Sequence, residues 1–264
     1  MVVNHLVWLI LDSCRYDSFL AASTPNFDRL GQVELRYSYA SWTAPSHLAF
    51  LMGLTPHRSP AGRFASEVYA DEFAQWGRRL GVETRFEDFV PELSLPCKLR
   101  KLGYATLARV SLPVLNPRTL LSRYFDDYRL MERYDQFAAM VEELEFGSQP
   151  MFVLLNLGET HYPYLLEDAP RLAGLHGAAR GAQAPGFFVA EEMERMRLAQ
   201  IRAVERVDRL FAGLLAKAPA QTHFIVCADH GELFGEDGFF GHGPVMHPKV
   251  FEVPFLEGRC SDIV

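Results

Sequence analysis

The sequence predicts an α/β domain with a mostly parallel central sheet sandwiched by helices. Three observations predict it. Three apolar runs of strand length, at 5–11, 151–157 and 223–227, lack the polar alternation of a half-exposed strand and so belong in a sheet buried on both faces. The stretches between them carry helical spacing. Each run ends abruptly in a polar cluster, as strands feeding a site at their carboxyl ends do.

In chain order, HLVWLIL at 5–11 is the first strand and stops at Asp12-Ser13. PSHLAFLMGL at 45–54 reads as a helix with Pro45 in its first turn, where the missing N–H costs nothing. Helices follow at 64–80, ended by Gly81, and 93–102, ended by Gly103; residues 104–110 form a strand. Another helix covers 134–144 before the MFVLLNL strand at 151–157. Residues 165–188, rich in Gly, Ala and Pro, predict a long loop of the kind that closes over sites. The segment 191–217 is a long helix whose stripe of Met193, Met196, Ile201, Val204, Val207, Leu210, Phe211 and Leu214 faces the core. A strand at 223–227 leads into Ala228-Asp229-His230-Gly231, and 250–256 is one more strand.

The 264 residues and 49% apolar content support one core and a single domain over 1–264. A net charge of −7 argues against nucleic acid, whose binders carry a basic face, but not against an anionic substrate met by a bound cation. Cys14, Cys97, Cys227 and Cys260 form no CxxC pair, which fits a reducing compartment. No run reaches the roughly 20 apolar residues of a membrane span. The expectation is a soluble cytoplasmic protein.

The polar clusters carry the functional reading. Asp12, Glu159-Thr160-His161 and Asp229-His230 would converge at one end of the sheet, with His242 close behind. Carboxylate and imidazole donors together suit Zn or Mn better than Ca. Each cluster has a plainer reading, since Asp often forms turns and a single His is more often a satisfied polar group. Three of them on three buried strands favour a site. Arg15, after Asp12, is either a substrate contact or the partner of Asp17, and Asn116 either touches substrate or forms a turn. Glu232, Glu236 and Asp237 read as loop-shaping residues, His57, His176 and His223 as surface or packing groups, and Tyr162 and Tyr164 as pocket walls or packing.

The segments LDSCRYDS (11–18), TPNFDRL (24–30), SWTAPSHLAFLMGLTPHR (41–58), LRKLGYAT (99–106), GETHYPY (158–164), ADHGELFGEDGFFGHG (228–243) and VPFL (253–256) occur in this order along nearly the whole chain. On them the sequence resembles the alkaline phosphatase and arylsulfatase superfamily. The nearest branch is that of sulfatases, phosphonate monoester hydrolases and phosphoethanolamine or lipoteichoic-acid transferases. The resemblance implies an alkaline phosphatase-like fold without the usual C-terminal subdomain, whose wall the 165–188 loop or another subunit would replace. It implies Asp12, Thr43, Asp229 and His230 as ligands of one divalent metal, Zn or Mn, and Thr43 as nucleophile. His161 and His242 would hold the substrate anion, assist the leaving group or join a weaker second metal, for which Glu159 and His247 are further candidates.

The departures narrow the chemistry. Thr43 stands where sulfatases carry the cysteine that becomes formylglycine, and His47, His230 and His242 stand where they have Arg, Asn and Lys. Ser13 replaces a second Asp of their calcium site. The expected activity is hydrolysis or transfer of a small-molecule phosphate ester through a phospho-threonine intermediate. The alternatives are a sulfatase-like hydrolase of sulfate or phosphonate esters, and a degenerate binding member without catalysis. The plainer reading of Thr43 is a helix N-cap, a role compatible with the nucleophile, which is the favoured one. A homodimer covering an open sheet edge is a further expectation.

Overall fold

The computed structural model describes residues 4–58, 65–83, 94–169, 189–243 and 245–262. The expected loop falls outside these for its greater part, 170–188, and so does His176.

Seven strands form one mixed sheet. β1 (His5–Leu11) lies at its centre, between β5 (Met151–Leu157) and β6 (Thr222–Ala228), and both neighbours run parallel to it. Beyond β5 come β3 (Ala105–Val110) and β4 (Asp127–Leu130), also parallel. Beyond β6 comes β9 (Glu252–Arg259), antiparallel, with β2 (Glu34–Tyr37) at the edge. The short edge strands β2 and β4 carry charge and are mostly only partly buried or exposed, so no continuous apolar run announces them in the sequence. β9 starts two residues later than its apolar run suggests. Pro248–Phe251 instead forms a helical turn, α7, whose first turn is capped by the His247 ring accepting the Lys249 N–H.

The side-chain period of two sorts β1 between two cores. Val7, Leu9 and Leu11 face α1 (Tyr16–Ala21), α5 (Phe137–Glu143) and the 28-residue helix α6 (Ala190–Lys217) through Phe19, Phe137, Met140, Val204, Val207 and Phe211. Leu6, Trp8 and Ile10 face α2 (Thr43–Leu51), α3 (Ala65–Leu80) and α4 (Leu95–Lys101) through Phe50, Phe73, Trp76 and Leu99. Helices therefore cover both faces, as the unbroken apolar strands require. The α6 stripe divides its work. Its later residues pack on the sheet, while Met193 and Met196 pack with Tyr164, Phe234 and Phe240 beneath the hairpin of β7 (Leu233–Phe234) and β8 (Phe240–Gly241). Among the described residues, no helix is long and apolar enough to cross a membrane.

Candidate active site

Register builds the site. Leu11, the last residue of β1, pairs with Leu157 of β5 and Ala228 of β6. Three strands thus end level, and the next residues, Asp12, Gly158 and Asp229, emerge side by side. One ligand atom from each of Asp12, Asp229 and His230 falls within 4.8 Å of the others, and all three residues are buried. Among the described residues no second grouping of three such donors occurs.

Thr43 reaches this point from the helix side. α2 starts two residues before Pro45, so Thr43 lies in its first turn and Trp42 takes the cap position. The threonine is therefore not the N-cap. Its Oγ1 lies 3.2 Å from His230 Nε2. The other ring nitrogen, Nδ1, lies 2.9 Å from the Gly231 carbonyl and must carry the proton to bond there. Nε2 is then left with its lone pair, the tautomer that binds metals. Burial, with the His242 ring beside it, pushes His230 down to about 3, so the ring is neutral.

The two carboxylates are held differently. Asp229 Oδ1 accepts the Ser13 and His230 N–H groups at 3.0 Å each, while its buried Oδ2 has no hydrogen-bond partner. Burial and the neighbouring Asp12 raise its carboxyl well above the ordinary range. Asp12 Oδ2 accepts from Asn156 Nδ2 at 2.8 Å. Burial opposes its ionisation, but the His161 and His230 rings and the Asn156 amide carry its carboxyl below the ordinary range. An orphaned buried carboxylate oxygen, a second carboxylate, an imidazole lone pair and a hydroxyl make a donor set for a tetrahedral divalent cation of the Zn class. The residues fit such an ion.

A second polar group stands beside the first. His242 Nδ1 lies 2.8 Å from Glu232 Oε1, and Tyr164 Oη donates to Glu232 Oε2 at 2.5 Å. Burial works against the Glu232 charge, yet His242, His161 and Tyr164 bring it to about 2. Burial likewise opposes charge on His242, but Glu232 outweighs it and raises the imidazole. The His242 ring sits 4.2 Å from that of His230 and 5.4 Å from that of His161, centroid to centroid.

Several expected residues are placed elsewhere. Arg15 is buried, and its guanidinium is bound by Asp17 and Glu236 at 2.5 Å each, which favours the ion-pair reading over a substrate contact. Asn116 spends its amide on the Pro113 carbonyl and the Arg118 N–H, a local turn. Glu159 points its Oε1 to the Phe137 N–H at the start of α5, and His247 caps α7. Neither joins the cluster of Asp12, Asp229 and His230.

Other contributors carry weaker sequence signals. Asn156 interrupts an apolar strand, and Gln200 interrupts the apolar stripe of α6. A polar residue in such a place is the mark that could have found both. Gln200 Nε2 donates to the Ser13 and Thr160 carbonyls at 2.9 and 3.1 Å, tying together the loops after β1 and β5. His47, one turn after Thr43, sets its Nδ1 2.9 Å from the Thr43 carbonyl and 3.8 Å from Asp229 Oδ2. Glu232 looks like any loop acid in sequence, because its partner His242 comes together with it only through the β7–β8 hairpin.

Thr43, His161 and His242 form the polar floor of a cleft of about 630 Å³. Its walls are Trp42, Leu112, Pro113, Val114 and Met246, with Ser41 and Gly243.

A doubly covered α/β sheet with buried acid and imidazole at its carboxyl edge defines the class, and solved structures share this fold. Zn-bound EcEptC C-terminal periplasmic domain from Escherichia coli superposes with a TM-score of 0.60 at 16% identity, over 98% of this chain and 73% of that one. A protein in the alkaline phosphatase superfamily from Vibrio parahaemolyticus gives 0.56 at 19%, over 98% and 60%. A 2-O GAG sulfatase gives 0.59 at 14%, over 97% and 64%. The fold is alkaline phosphatase-like, as the sequence motifs imply. No protein-family model and no curated protein matches the chain.

Proposed function

We propose that this protein is a metal-dependent phosphoesterase or phosphoryl-group transferase with Thr43 as its nucleophile. The observation that carries the reading is the Thr43 hydroxyl held 3.2 Å from His230 Nε2, beside the buried grouping of Asp12, Asp229 and His230 and on the floor of a cleft. Asp12, Asp229, His230 and Thr43 would hold the cation, and the Zn in the EcEptC structure supports one of that class. Bound there, it supplies Lewis acidity that makes a hydroxyl nucleophilic at neutral pH and offsets charge on phosphoryl oxygens.

The chain's own groups do the rest. Thr43 Oγ1 gives its proton to solvent and attacks phosphorus in line as the bond to the leaving oxygen breaks, giving a phospho-threonine ester. The opening turn of α2 supplies N–H groups without intrahelical acceptors, favourable to an anion. His242, whose protonated form Glu232 favours, protonates the leaving oxygen, and His161 lines the same cleft. Water or an acceptor alcohol, passing its proton to the now neutral His242, then attacks the phospho-threonine as its bond to Thr43 Oγ1 breaks, and that oxygen regains a proton from solvent.

The test uses purified metal-loaded protein with an aryl phosphate and an aryl sulfate. Thr43→Ala should lower the aryl phosphate rate at least about 10³-fold, the scale on which loss of a nucleophile acts. Mass spectrometry of a quenched turnover should find phosphate on Thr43. Full activity in the variant would refute the nucleophile, and a faster sulfate reaction would shift the reading to a sulfatase.

A further inference from the structure

We propose that the cleft above Thr43 is a subsite for an apolar group carried by the ester, so that the substrate is a phosphate ester with an uncharged, largely hydrocarbon body rather than a sugar or nucleotide phosphate. The inference rests on the phosphoester reading and names the substrate of the same site.

The lining divides by chemistry. Its polar side chains are Thr43, His161 and His242, with Ser41, whose hydroxyl donates to the Gly243 carbonyl at 2.5 Å. The rest of the wall is Trp42, Leu112, Pro113, Val114 and Met246, and no Lys, Arg, Asp or Glu lines the cleft among the described residues. Sugar hydroxyls or a base edge entering these walls would lose water without gaining partners, at a cost of roughly 1–3 kcal/mol for each such group.

Exposure points the same way. Trp42 is 48%, Val114 40% and Met246 79% accessible, an apolar rim that water meets until something covers it. On α2 and at its C-cap, Leu48 and Met52 are a further 50% and 38% accessible. The helix TAPSHLAFL carries no Asp, Glu, Lys or Arg. A volume of about 630 Å³ lies within the roughly 300–1,000 Å³ of ordinary small-molecule sites, and accepts an aryl ring or a medium alkyl chain with the phosphate on the floor.

The experiment compares phosphomonoesters of primary alcohols, so that leaving-group basicity barely changes: ethyl, butyl, hexyl and octyl phosphate, with glycerol 1-phosphate as the polar counterpart. If the subsite holds, kcat/KM rises about two- to fourfold per methylene until the cleft is filled, and octyl phosphate exceeds glycerol 1-phosphate at least tenfold. In Val114→Ser the rise per methylene shrinks. A flat series, or preference for glycerol 1-phosphate, overturns the proposal.

A binding arm separates this from the catalytic reading. Alkyl phosphonates titrated calorimetrically into metal-loaded protein should tighten with chain length by the same factor. Such tightening without turnover of any ester would refute the phosphoesterase and leave the subsite standing, and chain-independent binding would overturn the subsite even in an active enzyme. A last pair of substrates identifies the source, octyl phosphate below its micellar concentration against a dialkyl phosphatidic acid in vesicles. Turnover of the second would place the apolar ester in a lipid surface, and confinement to the first would make it a free small molecule; each supports the subsite.

Discussion

Replacing Asp229 with asparagine should move stability in opposite directions with and without a divalent metal. Asn Oδ1 can keep both N–H bonds that Asp229 Oδ1 now accepts from Ser13 and His230, so the change falls on Oδ2, buried and without a partner. Burial and Asp12 hold this carboxyl well above its ordinary 3.8. A raised folded value means stability that is complete below the unfolded value and is lost as pH rises through the folded one. In chelator, the variant should therefore match the native protein near pH 4 and exceed it at pH 8. An uncompensated buried polar group costs about 2 kcal/mol, which for a chain of this size is roughly 4–8 °C in Tm. With metal at about 100 times its Kd, the native protein should gain about 2.7 kcal/mol, and the variant, lacking one anionic ligand, should gain little. Differential scanning fluorimetry in chelator and in Zn, at both pH values, reads all four numbers. A variant less stable than native in chelator at pH 8, or one with an undiminished response to Zn, would refute the assignment of Asp229 Oδ2 as a ligand atom.

Three further outcomes follow from individual residues. Glu232→Gln should lower kcat about 10- to 100-fold with KM and metal content unchanged, because it weakens the bond that orients His242; an unchanged kcat would remove Glu232 from the mechanism. Burial raises Glu159 from 4.5 to about 7, so its contribution to stability is complete below the first value and is lost as pH rises through the second; Glu159→Gln should be neutral near pH 4 and stabilising by on the order of 2–3 kcal/mol at pH 8.5, read by urea midpoints. A Cβ on Gly231 would stand 2.1 Å from the Lys249 carbonyl oxygen, so Gly231→Ala must displace α7 or His230, and metal content by atomic emission should fall with activity; a fully loaded, active variant would show that the backbone yields there at no cost.

The central strands were legible because burial on both faces leaves no room for polar residues, which makes β1, β5 and β6 unmistakable. The grouping of Asp12, Asp229 and His230 was legible because these residues follow those strands directly. What the sequence concealed depends on long-range pairing. The antiparallel course of β9 leaves no mark in its own residues, and the edge strands β2 and β4, at four residues each, are too short for a period of two to stand out. The join between Glu232 and His242 needs the β7–β8 hairpin, and the start of α2 at Thr43 is obscured by Pro45, which usually marks a first turn. Arg15 read evenly between two roles because an arginine's partner is a matter of geometry; Asp17 was visible in sequence, but Glu236 arrives from the far end of the chain.

The level ending of β1 and β6 has a consequence for biogenesis. Ser13 and Asp229, joined by a hydrogen bond, are separated by 216 positions, so the grouping of Asp12, Asp229 and His230 cannot form within one local segment. Parallel pairing over such distances closes slowly, because the entropy of bringing remote segments together comes before the contacts that reward it. Completion of the sheet is therefore what assembles the grouping, and a nascent or clipped chain lacking the residues after 222 would keep Asp12 and Thr43 without Asp229 and His230 beside them.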